Sequence, residues 1–274
     1  MPILVRAIAV LLAVWATVAA PETAVAKSSA VKPPALVQVK PGSFPYWASG
    51  EFTHDGKPVD PPLRTIQMSA TISMMAHQVS VDEYARCVTD NACSSLTSGQ
   101  TDGAVPVVMV SWNDARAYAA WLTRKLGQHY RLPTDEEWFH AAGSRAPAES
   151  PLAGAGTVAR WTARYDRESQ GEPADARPQP IGHFGANENG LSDIAGNIWE
   201  WTDTCYTRTA LDADGMALGR GTTNCGVRVA EGPHRAYVVD FIRDARAGGC
   251  AAGIPPSNLG FRLVLESNHT SSWF

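Results

Sequence analysis

The chain has no glycine-rich phosphate loop, no G-x-S-x-G turn and no H-E-x-x-H helix. It therefore lacks the fixed spacings through which those motifs bind phosphate, expose a nucleophilic serine or hold a catalytic zinc. Its seven histidines, at 54, 77, 129, 140, 183, 234 and 269, never fall as H-x-H or H-x-x-x-H, so none is paired for metal on one strand or helix turn. Basic residues form no patch, and 23 Lys and Arg against 27 Asp and Glu leave a net charge of -4, which argues against a nucleic-acid partner. Beyond the N-terminus no apolar run is long enough to span a bilayer.

What is present begins with an address. Arg6 precedes an apolar run from Ala7 to Ala20, and Ala24-Val25-Ala26 follows as an A-x-A cleavage pattern. The expectation is a signal peptide over 1–26, cleaved near Ala26, with the protein periplasmic or secreted and without a membrane anchor. No cysteine stands near that site to carry lipid. The remaining chain divides into a leader and first strand (27–40), one large domain (41–266) and a tail (267–274). Roughly 250 residues suffice for one domain with a sizeable core, and a monomer is expected. Nine tryptophans supply large core fillers whose indole N–H groups need acceptors.

Five cysteines, at 87, 93, 205, 225 and 250, meet an oxidising compartment. Cys87 and Cys93 flank the turn pair Asp90-Asn91 and make the first expected bridge. Cys205 and Cys225 flank a Gly/Asp-rich excursion and make a second, leaving Cys250 over. Other pairings of the last three remain open.

Along the chain, Ala35–Phe44 and Arg64–Met75 alternate and read as two strands. Ser80 with Glu83, and Thr134 with Glu137, are capping boxes that start helices; Ser111 caps a third, which Gly127 closes. On that third helix Trp112, Ala115, Ala119 and Leu122 form the inner face, and Asp114, Arg116, Thr123 and Arg124 the outer. Asp135, Glu136 and Glu137 read as a helix start and solvated face, with Trp138 and Ala141 turned inward. Residues 146–180 are a long Gly/Pro/Ala-rich excursion. Asp212-Ala213-Asp214-Gly215 lacks the glutamate that a calcium loop needs at its twelfth position, where Thr223 stands, and reads as a turn. Arg228–Val239 alternates as a strand-like segment, and Ser257–Val264 is the last core strand.

The stretch around which this is organised runs Gly190-Leu-Ser-Asp-Ile-Ala-Gly-Asn-Ile-Trp-Glu-Trp-Thr-Asp203. It keeps no helical period. By residue type it is either a Trp-rich turn that packs a core or a hard-oxygen metal site, with Asp193 and Glu200 as carboxylates and Gly196 and Ile198 as carbonyl donors for calcium.

That stretch, together with VPVVMVSWNDARAYAAW (105–121), YRLPTDEEWFHAAG (130–143) and SNLGFRLV (257–264), resembles the formylglycine-generating enzyme (sulfatase-modifying factor) family, in the family's motif order. The resemblance implies an α+β fold of the irregular C-type-lectin-like kind, poor in regular secondary structure. It implies a structural calcium ion on Asp193, Gly196, Ile198 and Glu200. A further calcium site in relatives begins near Arg160-Trp161 here, where Arg160 replaces a ligand-type residue and only Asp166 and Asp175 remain as donors. The family's activating enzymes oxidise a substrate cysteine at two copper-binding cysteines five apart, and a soft monovalent copper ion wants such thiolates. Those positions fall near Val238 and Arg243, and neither is cysteine.

The resemblance is therefore to the periplasmic relatives without that pair, of which some mature a siderophore chromophore and others accompany copper nitrite reductase. The expected role is a maturation factor acting, catalytically or as an assistant, on a periplasmic protein or small molecule, with any redox metal unspecified. Its candidate groove carries Cys250, Arg243, Arg246, Asp244 and His234, with Arg235 and Asp240 beside them. Arginines there can fork onto a carboxylate or phenolate, and Cys250 can act only as a thiolate. The alternative is a non-catalytic binding module on the same scaffold.

Overall fold

Three capped helices and twelve short strands make up the computed structural model, which describes residues 31–96, 99–147, 177–245 and 258–266. The described residues from Pro33 onward belong to one compact unit. Residues 1–26, expected as a signal peptide, together with Arg160, Trp161, Asp166, Asp175, Arg246, Cys250, Ser257 and the tail lie outside the described residues. No described helix is long and apolar enough to cross a membrane.

The helices start where their caps stand. Helix α1 (Val81–Thr89) has Ser80 accepting from the Glu83 amide while Glu83 reaches back to the Ser80 amide. Helix α2 (Trp112–Leu126) is capped by Ser111 with Asp114 in the reciprocal place, and ends on Gly127 at φ 68°. Helix α3 (Asp135–Ala142) is capped by Thr134 with Glu137. Each cap satisfies amides that the first turn leaves without intrahelical acceptors.

The strands are shorter than alternation alone predicts. Ala35–Phe44 divides at Lys40-Pro41, where proline offers no amide to a ladder, into β1 (Leu36–Val39) and β2 (Gly42–Trp47). Arg64–Met75 divides into β5 (Leu63–Met68) and β6 (Ile72–Met75). The halves belong to different sheets: β2 pairs β5, whereas β1 pairs β6. Arg228–Val239 is a hairpin turning at Gly232-Pro233, with β9 (Thr222–Glu231) against β10 (Ala236–Val239). The closing motif holds two two-residue strands, β11 (Leu259–Gly260) and β12 (Val264–Leu265).

Strand β12 lies between β6 and β7 (Tyr130–Arg131), giving the order β1-β6-β12-β7. The long β8 (Trp199–Ala210) pairs antiparallel with β9. It also pairs in parallel with β11 at its start and with β3 (Glu51–His54) at its end, and β4 (Lys57–Val59) extends that sheet beyond β3. Gly260 in β11 is obligatory, because a Cβ there would sit 2.3 Å from the Val107 carbonyl and 2.5 Å from the Ile198 side chain.

Trp138, Ala141 and Ala142 of α3 pack with Val39, Ile72, Met74, Leu191, Ile194 and Val264 into a core. A second aromatic group stacks Tyr84 of α1 on Tyr118 of α2, with Phe261 edge-on to Tyr118. Five indoles find acceptors: Trp112 on the Thr202 carbonyl, Trp121 on Asp90, Trp138 on Glu200, Trp199 on the His234 carbonyl and Trp201 on the Val110 carbonyl. The bridges are Cys87–Cys93 and Cys205–Cys225. Asp212 accepts from the Asp214 and Met216 amides, so residues 212–215 are a turn.

Candidate functional site

The central stretch enters β8 through a turn in which Asp193, Ala195 and Asn197 all have φ between 56° and 65°. Left-handed backbone disfavours residues bearing a Cβ by about 1–2 kcal/mol each, so neighbouring groups must hold it. The Asp193 carboxylate accepts from the Gly182 and Phe184 amides at 2.5 and 2.8 Å. Asn197 exchanges two hydrogen bonds with the Gln179 backbone.

Glu200 points into the core, fully buried, beside an equally buried Arg262. Arg262 Nε donates to Oε2 at 2.6 Å and Nη2 to Oε1 at 2.8 Å. Trp138 Nε1 donates to Oε2 at 2.9 Å and Gln78 Nε2 to Oε1 at 2.8 Å. Gln78 Nε2 also reaches the Asp193 carbonyl, tying the turn to the pair. Four donors fill the acceptor capacity of one carboxylate.

Three of the four expected calcium ligands already have hydrogen-bond partners. Glu200 faces a guanidinium, the Asp193 carboxylate is spent on two amides, and the Gly196 carbonyl accepts from the Ile198 amide at 2.7 Å. Among the described residues no three His, Cys, Asp or Glu side chains gather as a metal group.

The groove candidates are held by different elements. Arg243 forks onto Asp114 of α2, Nε to Oδ2 at 2.7 Å and Nη2 to Oδ1 at 2.8 Å. Asp114 is buried, although helical spacing assigns it to the outer face. Burial pushes its carboxyl up, but hydrogen bonds from Arg243 and Ser111 outweigh that and hold it below the usual carboxylate range. His234 sits in the β9–β10 turn, its ring edge-on to Trp199 at 5.2 Å and its Nδ1 3.1 Å from the Arg235 carbonyl. Asp244 is half-buried just after Arg243, and Asp240 joins its backbone to Gly226 and Asn113. Arg246 and Cys250 lie outside the described residues.

Arg235 is buried in a separate network. Its Nε donates to Glu231 at 2.6 Å, Nη1 to the Trp47 carbonyl at 2.9 Å, and Nη2 lies 3.5 Å from Asp135. Asp135 also accepts from the Tyr46 hydroxyl and is 1 % exposed, so the acidic start of α3 is not the solvated face its sequence predicts. Burial pushes the Asp135 carboxyl up, but the Arg235 cation and hydrogen bonds from Glu231 and Tyr46 hold it low. Burial and the Asp135 charge push the Tyr46 hydroxyl well above the usual phenol range. Glu137 closes a fork with Arg131, both bonds at 2.7 Å.

The residues nearest the copper positions that the resemblance implies carry other chemistry. Val238 is a buried strand residue of β10, and Arg243 is committed to Asp114. Four of the five cysteines are bridged, so Cys250 is the single cysteine outside the two disulfides. With both bridges closed, the five cysteines leave one thiol rather than two for a copper ion.

Gln78, Asp114, Trp138 and Arg262 complete these arrangements and were not among the sequence-derived site residues. Arg262 carried a readable signal: a lone cation inside the apolar run Leu259–Val264 requires a buried acidic partner. Spacing does not say which acid.

A family profile described as the Sulfatase-modifying factor enzyme 1-like domain matches residues 22–267. Inactive C-alpha-formylglycine-generating enzyme 2 of Bos taurus is 36% identical over 168 residues, covering 56% of this chain and 53% of that protein. Formylglycine-generating enzyme of Streptomyces coelicolor is 30% identical over 176 residues, covering 61% and 54%. These matches span about half the length of each relative. The structure of PvdO from Pseudomonas aeruginosa superposes with a TM-score of 0.54 at 20% identity, over 85% of this chain and 95% of PvdO, which shows a shared fold. With its four motifs in order, the profile match over nearly its whole length and that fold, the chain belongs to the formylglycine-generating enzyme (sulfatase-modifying factor) family.

Proposed function

We propose that this protein is an exported maturation factor that holds a periplasmic protein or small molecule and does not perform two-thiolate copper oxidation. The observation that carries the second half is the fate of the copper positions: a buried valine, an arginine forked onto Asp114, and one cysteine left outside two bridges. The family membership and the signal-peptide pattern support the first half.

The test is a turnover assay with full-length protein, copper(I), oxygen and a cysteine-containing peptide, read by mass spectrometry for an aldehyde in place of the thiol. The expected result is unchanged peptide. Copper-dependent aldehyde that disappears in Cys250→Ser would overturn the proposal.

The second reading, a non-catalytic binding module, is favoured by the commitment of Arg235 and Arg243 to internal carboxylates and by the similarity to an inactive relative. The readings separate on Cys250. A maturation factor with chemistry of its own loses function in Cys250→Ser, whereas a binding module keeps it.

A further inference from the structure

The two disulfides sit in unlike surroundings. Cys87 is fully buried at the end of α1 and its partner Cys93 is half-buried, so neither sulfur-bearing residue of that bridge is exposed. Cys205 and Cys225 lie across adjacent antiparallel strands near the solvent-facing end of the β8–β9 hairpin, with Cys205 half-buried and Cys225 exposed. The ladder is irregular there. Cys205 faces Arg228 while Tyr206 faces Asn224, so Cys225, Gly226 and Val227 stand opposite a single step of β8. The exposed sulfur is thus on a bulge, off the regular pairing, where an attacking thiol has access.

A cation is fixed on the other sulfur. Arg228 Nη1 lies 3.2 Å from Cys205 Sγ. The same nitrogen donates to the Asp203 carbonyl at 2.8 Å, and the guanidinium stacks on the Trp112 ring at 3.7 Å from its centroid. Ring and carbonyl therefore hold the charge in place. It is incompletely answered: Asp203 Oδ1 is 3.5 Å away on a half-exposed side chain, and the buried Nε has no hydrogen-bond partner. Arg116, 4.9 Å from the centroid of the same ring, adds positive charge, and Asp240 acts on Arg228 as a further negative charge. A thiolate on Cys205 would complete this arrangement, and a neighbouring guanidinium lowers a thiol's pKa below its free value of about 8.5.

The geometry points to Cys205–Cys225 as a thiol–disulfide exchange site for a dithiol reductant, with Arg228 stabilising Cys205 as the leaving thiolate. One thiolate of the dithiol attacks Cys225 Sγ, the Cys205–Cys225 bond breaks, and its electron pair goes to Cys205 beside Arg228. The second thiol of the reductant then attacks the mixed disulfide. The dithiol leaves as a disulfide, two electrons have passed to the protein, Cys225 takes one proton, and the other goes to solvent while Cys205 stays ionised. Exchange of this kind favours a leaving sulfur of low pKa. The site is independent of Cys250 and of the function proposed above.

The test uses full-length oxidised protein, graded dithiothreitol, quenching by alkylation, and peptide mapping by mass spectrometry. Cys205 and Cys225 should be labelled at dithiothreitol concentrations at least tenfold below those that label Cys87 and Cys93. In protein reduced only at this bridge, Cys205 should alkylate with a pH midpoint at least one unit below that of Cys225. Arg228→Gln should raise the Cys205 midpoint to that of Cys225, and Arg228→Lys should preserve most of the difference. Simultaneous opening of both bridges, or a Cys205 midpoint no lower than that of Cys225, would overturn the inference. Both of those results come from the unsubstituted protein, so they stand whether or not the variants fold.

Discussion

Arg243 and Asp114, 129 positions apart, form a two-bonded fork, and the same carboxylate closes the N-terminal capping box of α2. One side chain thus starts a helix and fastens the segment after β10 to it. Arg243→Ala should destabilise the protein by roughly 1–3 kcal/mol, the scale for leaving a buried polar group without its partner, measured by urea unfolding. The Asp114 carboxyl is held below its unfolded value of about 3.9, so its contribution is complete above about pH 4 and fades as pH falls through the lower native value. Asp114→Asn should therefore lower stability at neutral pH and flatten this part of the acid dependence.

The Glu200–Arg262 pair should behave as an all-or-none element. Glu200→Gln or Arg262→Met alone leaves a buried charge without its counter-charge, and each should cost about 3–5 kcal/mol. The double variant should lose distinctly less than the sum of the two. Additive losses in urea unfolding would mean that the fork observed here does not operate in solution.

Chelation bears on the turn before β8. Asp193, Gly196 and Glu200 spend their oxygens on internal donors, so excess EDTA should leave the thermal midpoint of freshly purified protein unchanged. A fall of several degrees, restored by calcium, would show that Arg262 gives way to a metal ion.

Tyr46 donates its hydroxyl to Asp135 inside the Arg235–Glu231 network. Tyr46→Phe keeps the ring and removes that donor, and should cost about 1–3 kcal/mol. Because burial holds the phenol protonated far above neutral pH, the loss should be nearly constant between pH 6 and pH 9. A loss confined to one end of that range would contradict the assignment of Tyr46 as donor.

Local signals were the legible part of this fold. Ser80, Thr134 and Gly127 announce helix ends because capping is decided within four residues, and the inner faces of α2 and α3 follow from spacing. Strand ends were less legible. Alternation continues across Lys40-Pro41 and across 69–71, and only pairing partners show that the chain changes sheets there. The charged residues were least legible. Asp114, Asp135 and Glu200 look like surface or ligand positions because the arginines that hold them lie 129, 100 and 62 residues away, a relation no local pattern encodes. The family resemblance supplied the fold. That Glu200 is spent on Arg262 and the Asp193 carboxylate on two amides had to be read from geometry.

The most direct test of this account is a competition titration of copper(I) between the native, oxidised protein and a chromogenic copper(I) chelator. With Cys250 alone outside the bridges, the protein should withdraw no copper from the chelator. Withdrawal of one equivalent, abolished in Cys250→Ser, would contradict it.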